Sequence, residues 1–185
     1  LVNQFYSWTN TLVPNKFPTL DDDHPRMVIP FRDSNGEIFA YQGRAFGNEK
    51  PKYITIILDE SVPKIFGLDR VDTSRDIFIV EGPIDSLFIP NCIAVAQSDM
   101  RVPQYKDKAI LVPDNEPRNR EVTKQIENAI DEGYRVVVWP DYVRQKDIND
   151  MILSGMDALE IMEIIHNNTL KGLSAKVAFQ TWKKI

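Results

Sequence analysis

Three acidic groupings between residues 81 and 150 have the residue types and spacing to hold a hard cation. Glu81 and Gly82 follow the apolar run "IFIV" (77–80) at once, with Asp85 soon after. Asp114 and Glu116 follow "AILVP", and "KDIND" (146–150) brings Asp147 and Asn149 a few residues beyond "VVVW" (136–139). Carboxylates gathered at one place repel each other and hold their protons more tightly unless a cation neutralises them. An all-oxygen donor set of this kind suits Mg²⁺ or Mn²⁺. A lone acid in such a loop is more often a helix N-cap or a solvated side chain, and Asp85 and Glu121 fit that description too. The inference of a divalent-metal site rests on three strand ends delivering acids together.

Those strand ends require a particular architecture. "IFIV", "CIAVA" (92–96), "AILV" (109–112) and "VVVW" are short, continuous apolar runs rich in β-branched residues, the pattern of strands covered on both faces. Val122, Ile126, Ala129 and Ile130 recur at helical spacing before Gly133, and a further helix is expected over 157–166 with Leu159, Met162 and Ile165 on one face. Alternating strands and helices imply an α/β domain with a mostly parallel sheet. In such sheets ligands bind beyond the carboxyl ends of the strands, where Glu81, Asp114 and the 146–150 cluster fall.

The first 75 residues read differently, as a small mixed α+β lobe. Pro14, Pro18, Pro25 and Pro30 punctuate an irregular start. A β-hairpin is expected over 27–46 around "DSNG", where Asn35 and Gly36 tolerate positive φ, and "KYITIIL" (52–58) supplies a third strand. The lobe boundary is placed near "DTSRD" (72–76). Three segments follow: a lobe at 1–75, an α/β domain at 76–168, and a basic tail at 169–185.

Composition narrows the classes further. The chain has 185 residues, 43% of them apolar, and a formal net charge of −5. Residues 76–168 hold nine Lys/Arg against seventeen Asp/Glu, whereas 169–185 hold four Lys and no acid. That tail is amphipathic enough for a partner helix, for DNA, or for docking on its own domain. With Cys92 as the one cysteine, a disulfide framework is excluded. His24 and His166 lie far apart without other soft ligands, so no structural zinc is expected. No apolar run approaches membrane-spanning length and no leader pattern opens the chain, so a cytoplasmic protein without membrane contact is expected. An opening Leu1 suggests part of something longer.

Taken in order, Glu81-Gly82, Asp114-x-Glu116 and Lys146-Asp147 resemble the Toprim domain of primases and topoisomerases. The preceding "VIPFRDSNGEIFAYQGRAFGNEKPKYI" resembles the lobe before Toprim in DnaG-type primases. "EGPIDSL", "DNEPR" and "KDINDMI" are similar to the DNA primase subunit of T-even-like bacteriophages. The resemblance runs from about Asp23 to the C-terminus.

That resemblance implies a primase catalytic core making RNA primers on single-stranded DNA from ribonucleoside triphosphates, with Mg²⁺ or Mn²⁺ and a replicative hexameric helicase as partner. Glu81, Asp114, Glu116 and Asp147 match the catalytic and metal-binding acids. Glu116 stands in place of the usual second Asp, and Asn149 offers a neutral oxygen where a second carboxylate is common. Asp85 matches an acid of "EG-x-x-D" primases and is a supporting residue. Arg44, Lys52, Lys64 and Lys146 are the candidates for nucleotide or nucleic-acid contact, with Arg26 a weaker one. The family's zinc-binding module has no counterpart here, which implies poor, unselective primer initiation by this segment alone. A Toprim nuclease and a catalytically silent helicase-associated module are the alternatives; the "GRAFGNEKPKY" element argues against the first, and retention of Glu81 and Asp114 against the second.

Overall fold

The hairpin around "DSNG" forms as β1 (Arg26–Arg32) and β2 (Ile38–Ala45), with β3 (Tyr53–Ile57) pairing antiparallel on the other side of β2. These strands belong to the first of two units, Leu1–Lys64 and Ile65–Ile185, of a computed structural model that describes residues 1–96 and 99–185. In the turn, the Asp33 carboxylate accepts the Asn35 and Glu37 backbone N–H groups, each at 2.9 Å. Gly36 alone takes the left-handed conformation, with φ 84°; Asn35 does not.

The irregular start expected around the prolines holds for residues 13–25, but a helix precedes it. Phe5–Leu12 form helix α1, whose N-cap position, Gln4, makes no side-chain capping bond. Asp23 does that work from a distance, accepting the Tyr6 and Ser7 N–H groups at 2.6 and 2.9 Å. A cap displaced this far leaves no local N-terminal signature, which is why the helix is hard to read from sequence. α1 lays Phe5 against Tyr41 and Ile56, and the Tyr41 hydroxyl donates to buried Thr9 at 3.1 Å. Gly43 has to be glycine here, because a Cβ would run into the Phe5 ring. Phe31, Phe39 and Tyr41 are core residues, whereas Phe46 and Tyr53 stay exposed.

The second unit carries a five-stranded sheet in the order β5-β4-β6-β7-β8. Its strands are β4 (Ile77–Val80), β5 (Cys92–Ala94), β6 (Ala109–Leu111), β7 (Arg135–Val137) and β8 (Thr169–Leu170). β4 pairs parallel with both β5 and β6, β6 parallel with β7, and only β8 is antiparallel. Helices α2 (Arg120–Asp131), α3 (Ile148–Leu153), α4 (Ala158–Asn167) and α5 (Gly172–Trp182) complete it. Every residue of β4, β5 and β6 is buried, the physical reason these strands show no alternation. Burial also pushes the Cys92 thiol pKa up, in keeping with an inert cysteine. Among the described residues no helix is long and apolar enough to cross a membrane.

Three sequence expectations shift. The division between units falls after Lys64 rather than near 72–76, because Phe66 and Ala94 exchange backbone hydrogen bonds (2.7 and 3.0 Å) and stitch the intervening segment to the second unit. In α4 the buried face is Ile161, Ile164 and Ile165, leaving Leu159 exposed. The helix is apolar on more than one side, and packing rather than periodicity selects the face. Residues 169–185 are not a separate tail: β8 pairs with β7, and α5 buries Ala175, Phe179 and Trp182 in the core of the same unit.

Docking of α5 has a measurable consequence. Phe179→Ala is expected to destabilise the second unit by about 3–5 kcal/mol in denaturant titration, the range for emptying a buried aromatic site. A free tail would show no change.

Candidate functional site

The chain leaves β4 for β5 on one side and returns to β6 on the other, so the order of the sheet reverses beside β4. Glu81 and Asp114 follow the two strands that flank this reversal, the position where parallel α/β sheets open a crevice. Burial, then the charges of Asp114 and Glu116, push the Glu81 pKa up to about 8. Burial also raises Asp114 to about 6, although Lys146 opposes the shift. Lys146 Nζ lies 3.5 Å from Asp114 and 3.7 Å from Glu116, and it is the cation that partly offsets the cluster. Burial disfavours its charge, but the two carboxylates outweigh that and its pKa is raised.

Asp85 explains the glycine in "EGPID". Its Oδ1 accepts the Asn149 backbone N–H at 2.8 Å, reaching across 64 residues to the first turn of α3. The other carboxylate oxygen lies over Gly82, where any Cβ would collide with it. Asp85 therefore caps α3, not the short 3₁₀ turn Asp85–Leu87 that it begins. Its pKa rises to about 6 through burial, with the Asn149 N–H pulling the other way and Asp147 adding to the rise. Asp147 is the N-cap residue of α3 and accepts the Asp150 N–H at 2.8 Å. Two carboxylates thus share one helix end. For α2 the cap is Asn119, not Glu121.

Asn115, unremarked in the sequence, locks the loop between Asp114 and Glu116. Its side-chain amide donates to the carbonyls of Val143 and Gln145 at 3.0 and 3.1 Å, its backbone N–H donates to Lys146, and its Oδ1 accepts the Trp182 indole N–H at 3.0 Å. The position between two acids was a signal for Asn115. Nothing local signals Trp182, 67 residues away.

Convergence is less complete than the sequence pattern implied. Among the described residues no group of three or more His, Cys, Asp or Glu side chains is assembled as a metal cage. Lys146 stands with Asp114 and Glu116, while Asp85 and Asp147 are each engaged by a backbone amide. The donor chemistry still fits a hard divalent ion: oxygen donors predominate, and Glu81, Asp85 and Asp114 all have raised pKa values. Lys146, expected to meet nucleotide or nucleic acid, is paired with the Asp114 and Glu116 carboxylates.

In the first unit, Arg44 on β2 donates from Nε to the Tyr53 hydroxyl at 3.0 Å, and its guanidinium and the Lys52 ammonium each lie 5.9 Å from the Tyr53 ring centre. The three residues form one cationic and aromatic cluster on the β2–β3 pair. Lys64 is exposed at the end of this unit. Arg26, by contrast, is buried: its Nη1 donates to the carbonyls of Gly43 and Pro51 at 3.2 and 2.9 Å, so it is a structural cation and not a contact residue.

The parallel sheet with acids at its reversal point, together with the small antiparallel unit before it, is the fold of primase catalytic cores. A DNA primase domain from Pseudomonas aeruginosa superposes with a TM-score of 0.63 at 20% identity, covering 87% of this chain and 56% of that one. The primase fragment of the bacteriophage T7 primase-helicase protein gives 0.56 at 24%, covering 75% and 62%. In sequence, the DNA primase of Enterobacteria phage T4 is 40% identical over 181 residues, 95% of this chain and 52% of the phage protein. No family model matches the chain. The chain is similar to DNA primases in sequence and shares the fold of their catalytic cores, and it spans about half the length of the phage T4 relative it matches.

The raised carboxylate pKa values set the pH dependence of stability. Folded Glu81 keeps its proton to about pH 8, whereas the unperturbed group loses it near 4.5, so its contribution favours the folded state at low pH and is lost as pH rises through that window. In chelator, Glu81→Gln is expected to melt about 4 °C or more above the parent beyond pH 8 and close to it at pH 4.5. Equal melting temperatures throughout would contradict the assigned environment.

Proposed function

We propose that this chain is the catalytic core of a primase, adding ribonucleotides to a growing RNA on a single-stranded DNA template. The reading is carried by Glu81 and Asp114 at the sheet's reversal point in a chain of primase sequence and fold. In the reaction a ribonucleotide 3′-oxygen bonds to the α-phosphorus of the next triphosphate, the α–β bridging bond breaks, and pyrophosphate leaves. Mg²⁺ or Mn²⁺ would supply Lewis acidity for the 3′-hydroxyl and offset the charge of the triphosphate.

Glu81, Asp114 and Glu116 are the residues proposed to hold the ion, with Asp147 and Asn149 contributing from the start of α3. Binding there would release Lys146 from Asp114 and Glu116 towards the nucleotide. Asp85 supports the arrangement by fixing α3 to the Gly82 turn. Arg44 and Lys52 are proposed to engage template or nucleotide phosphates, beside a Tyr53 ring able to stack on a base. Lys64 extends that basic surface. A replicative helicase is the macromolecular partner this reading implies.

The direct test is incorporation of labelled ribonucleotide at an RNA end annealed to single-stranded DNA. Asp114→Asn, which keeps shape and removes charge, is expected to reduce incorporation on the order of a hundredfold or more while leaving the fold intact. Undiminished incorporation, or template cleavage in place of synthesis, would sink the proposal.

Arg44→Ala is expected to weaken single-stranded DNA binding and lower the slope of log affinity against log salt by about 1. An unchanged affinity and slope would show Arg44 to be an ordinary surface cation.

A further inference from the structure

Beyond Glu116 the acidic edge gives way to a cavity of about 400 Å³, within the range of small-molecule sites. Its frame is rigid. Pro117 and Pro140 stiffen two walls, Asn115 and Trp182 are hydrogen-bonded to each other, and the Lys184 backbone N–H donates to the Pro117 carbonyl at 2.9 Å. α5 therefore closes a site built from the loops that follow β6 and β7.

Its charge points to an anion. Arg118, Arg144 and Lys184 line the cavity against two carboxylates, Glu116 and Asp141. Those carboxylates are already engaged by lysines, Glu116 by Lys146 and Asp141 by Lys184 at 3.7 Å. Among the described residues neither Arg118 nor Arg144 forms an ion pair. Two unpaired guanidinium groups offer forked donors suited to phosphate oxygens, and the Glu116 and Asp141 oxygens can accept from sugar hydroxyls or base amino groups.

We infer that the cavity lined by Arg118, Arg144 and Lys184 binds a phosphate group of a nucleotide or a nucleic-acid strand next to the acidic edge. The ligand's identity as a nucleotide or strand rests on the primase reading; the anion site itself does not.

Binding is measured by calorimetry on the full chain in chelator, which separates this site from any metal-dependent activity. The probes are inorganic tripolyphosphate, ATP and a single-stranded DNA oligonucleotide. The double variant Arg118→Gln, Arg144→Gln changes exposed residues, and its fold is checked by circular dichroism. Wild-type protein should bind at least one probe, and the double variant should bind it about tenfold or more weakly, the loss expected for charge-assisted hydrogen bonds. Lys176→Gln, which removes a cation paired with Asp131 outside the cavity, should leave binding unchanged. Weakening for tripolyphosphate and ATP assigns the site to a triphosphate; weakening for the oligonucleotide alone assigns it to a strand. Absent binding, equal affinities of wild type and double variant, or equal losses in the double variant and Lys176→Gln would overturn the inference. Failure of the primase reading alone would appear as intact, arginine-dependent binding with no ribonucleotide incorporation.

Discussion

Mutual repulsion among carboxylates at the carboxyl edge of a parallel sheet is the constraint on which the second unit depends. Glu81, Asp85, Asp114, Glu116 and Asp147 all lie in the loops there, and Coulomb energy between like charges grows as burial lowers the local dielectric. The chain offsets this with Lys146 and with backbone N–H groups. Lys146 pairs with Asp114 and Glu116, while the exposed amides of the first α3 turn take Asp85 and Asp147. Burial, with the repulsion that remains as the lesser cause, raises the Glu81, Asp85 and Asp114 pKa values, the electrostatic condition a divalent cation relieves.

That constraint gives several separate features one cause. α3 is only six residues long, and its start is satisfied by two acids from different parts of the chain. Gly82 leaves space for one of them. Asn115 joins the loop after β6 to the loop after β7, and Trp182 of α5 completes its hydrogen bonds. Helix α5, remote in sequence, thereby supports the loop that carries Asp114 and Glu116.

The first unit meets a different demand, the burial of a cation whose hydrogen bonds go to backbone carbonyls. Arg26 gives its Nη1 protons to backbone carbonyls and lies 5.8 Å from the Phe5 ring centre. Gly43 admits the same ring against β2. With the inner side of the sheet closed by α1, the neighbouring Arg44 projects its guanidinium to Tyr53 at a more exposed position. Adjacent residues Gly43 and Arg44 thus serve different purposes, one admitting a core ring and the other displaying charge.

The sequence by itself determined the central strands, the hairpin, α2 and the acids at the sheet edge, because these depend on local patterns. Continuous β-branched runs declare buried parallel strands, "DSNG" declares a turn, and Glu81 and Asp114 follow directly upon their strands. Only the tertiary structure decided that α1 is a helix capped by Asp23, that Asp85 caps α3, that Lys146 pairs with the acids, and that α5 belongs to the core. Each depends on a partner distant in sequence: Asp23 for Tyr6, Asp85 for Asn149, Trp182 for Asn115. Local periodicity reports which face of an element is apolar, whereas the choice of a distant hydrogen-bond partner is made only when the packed chain brings donor and acceptor within about 3 Å.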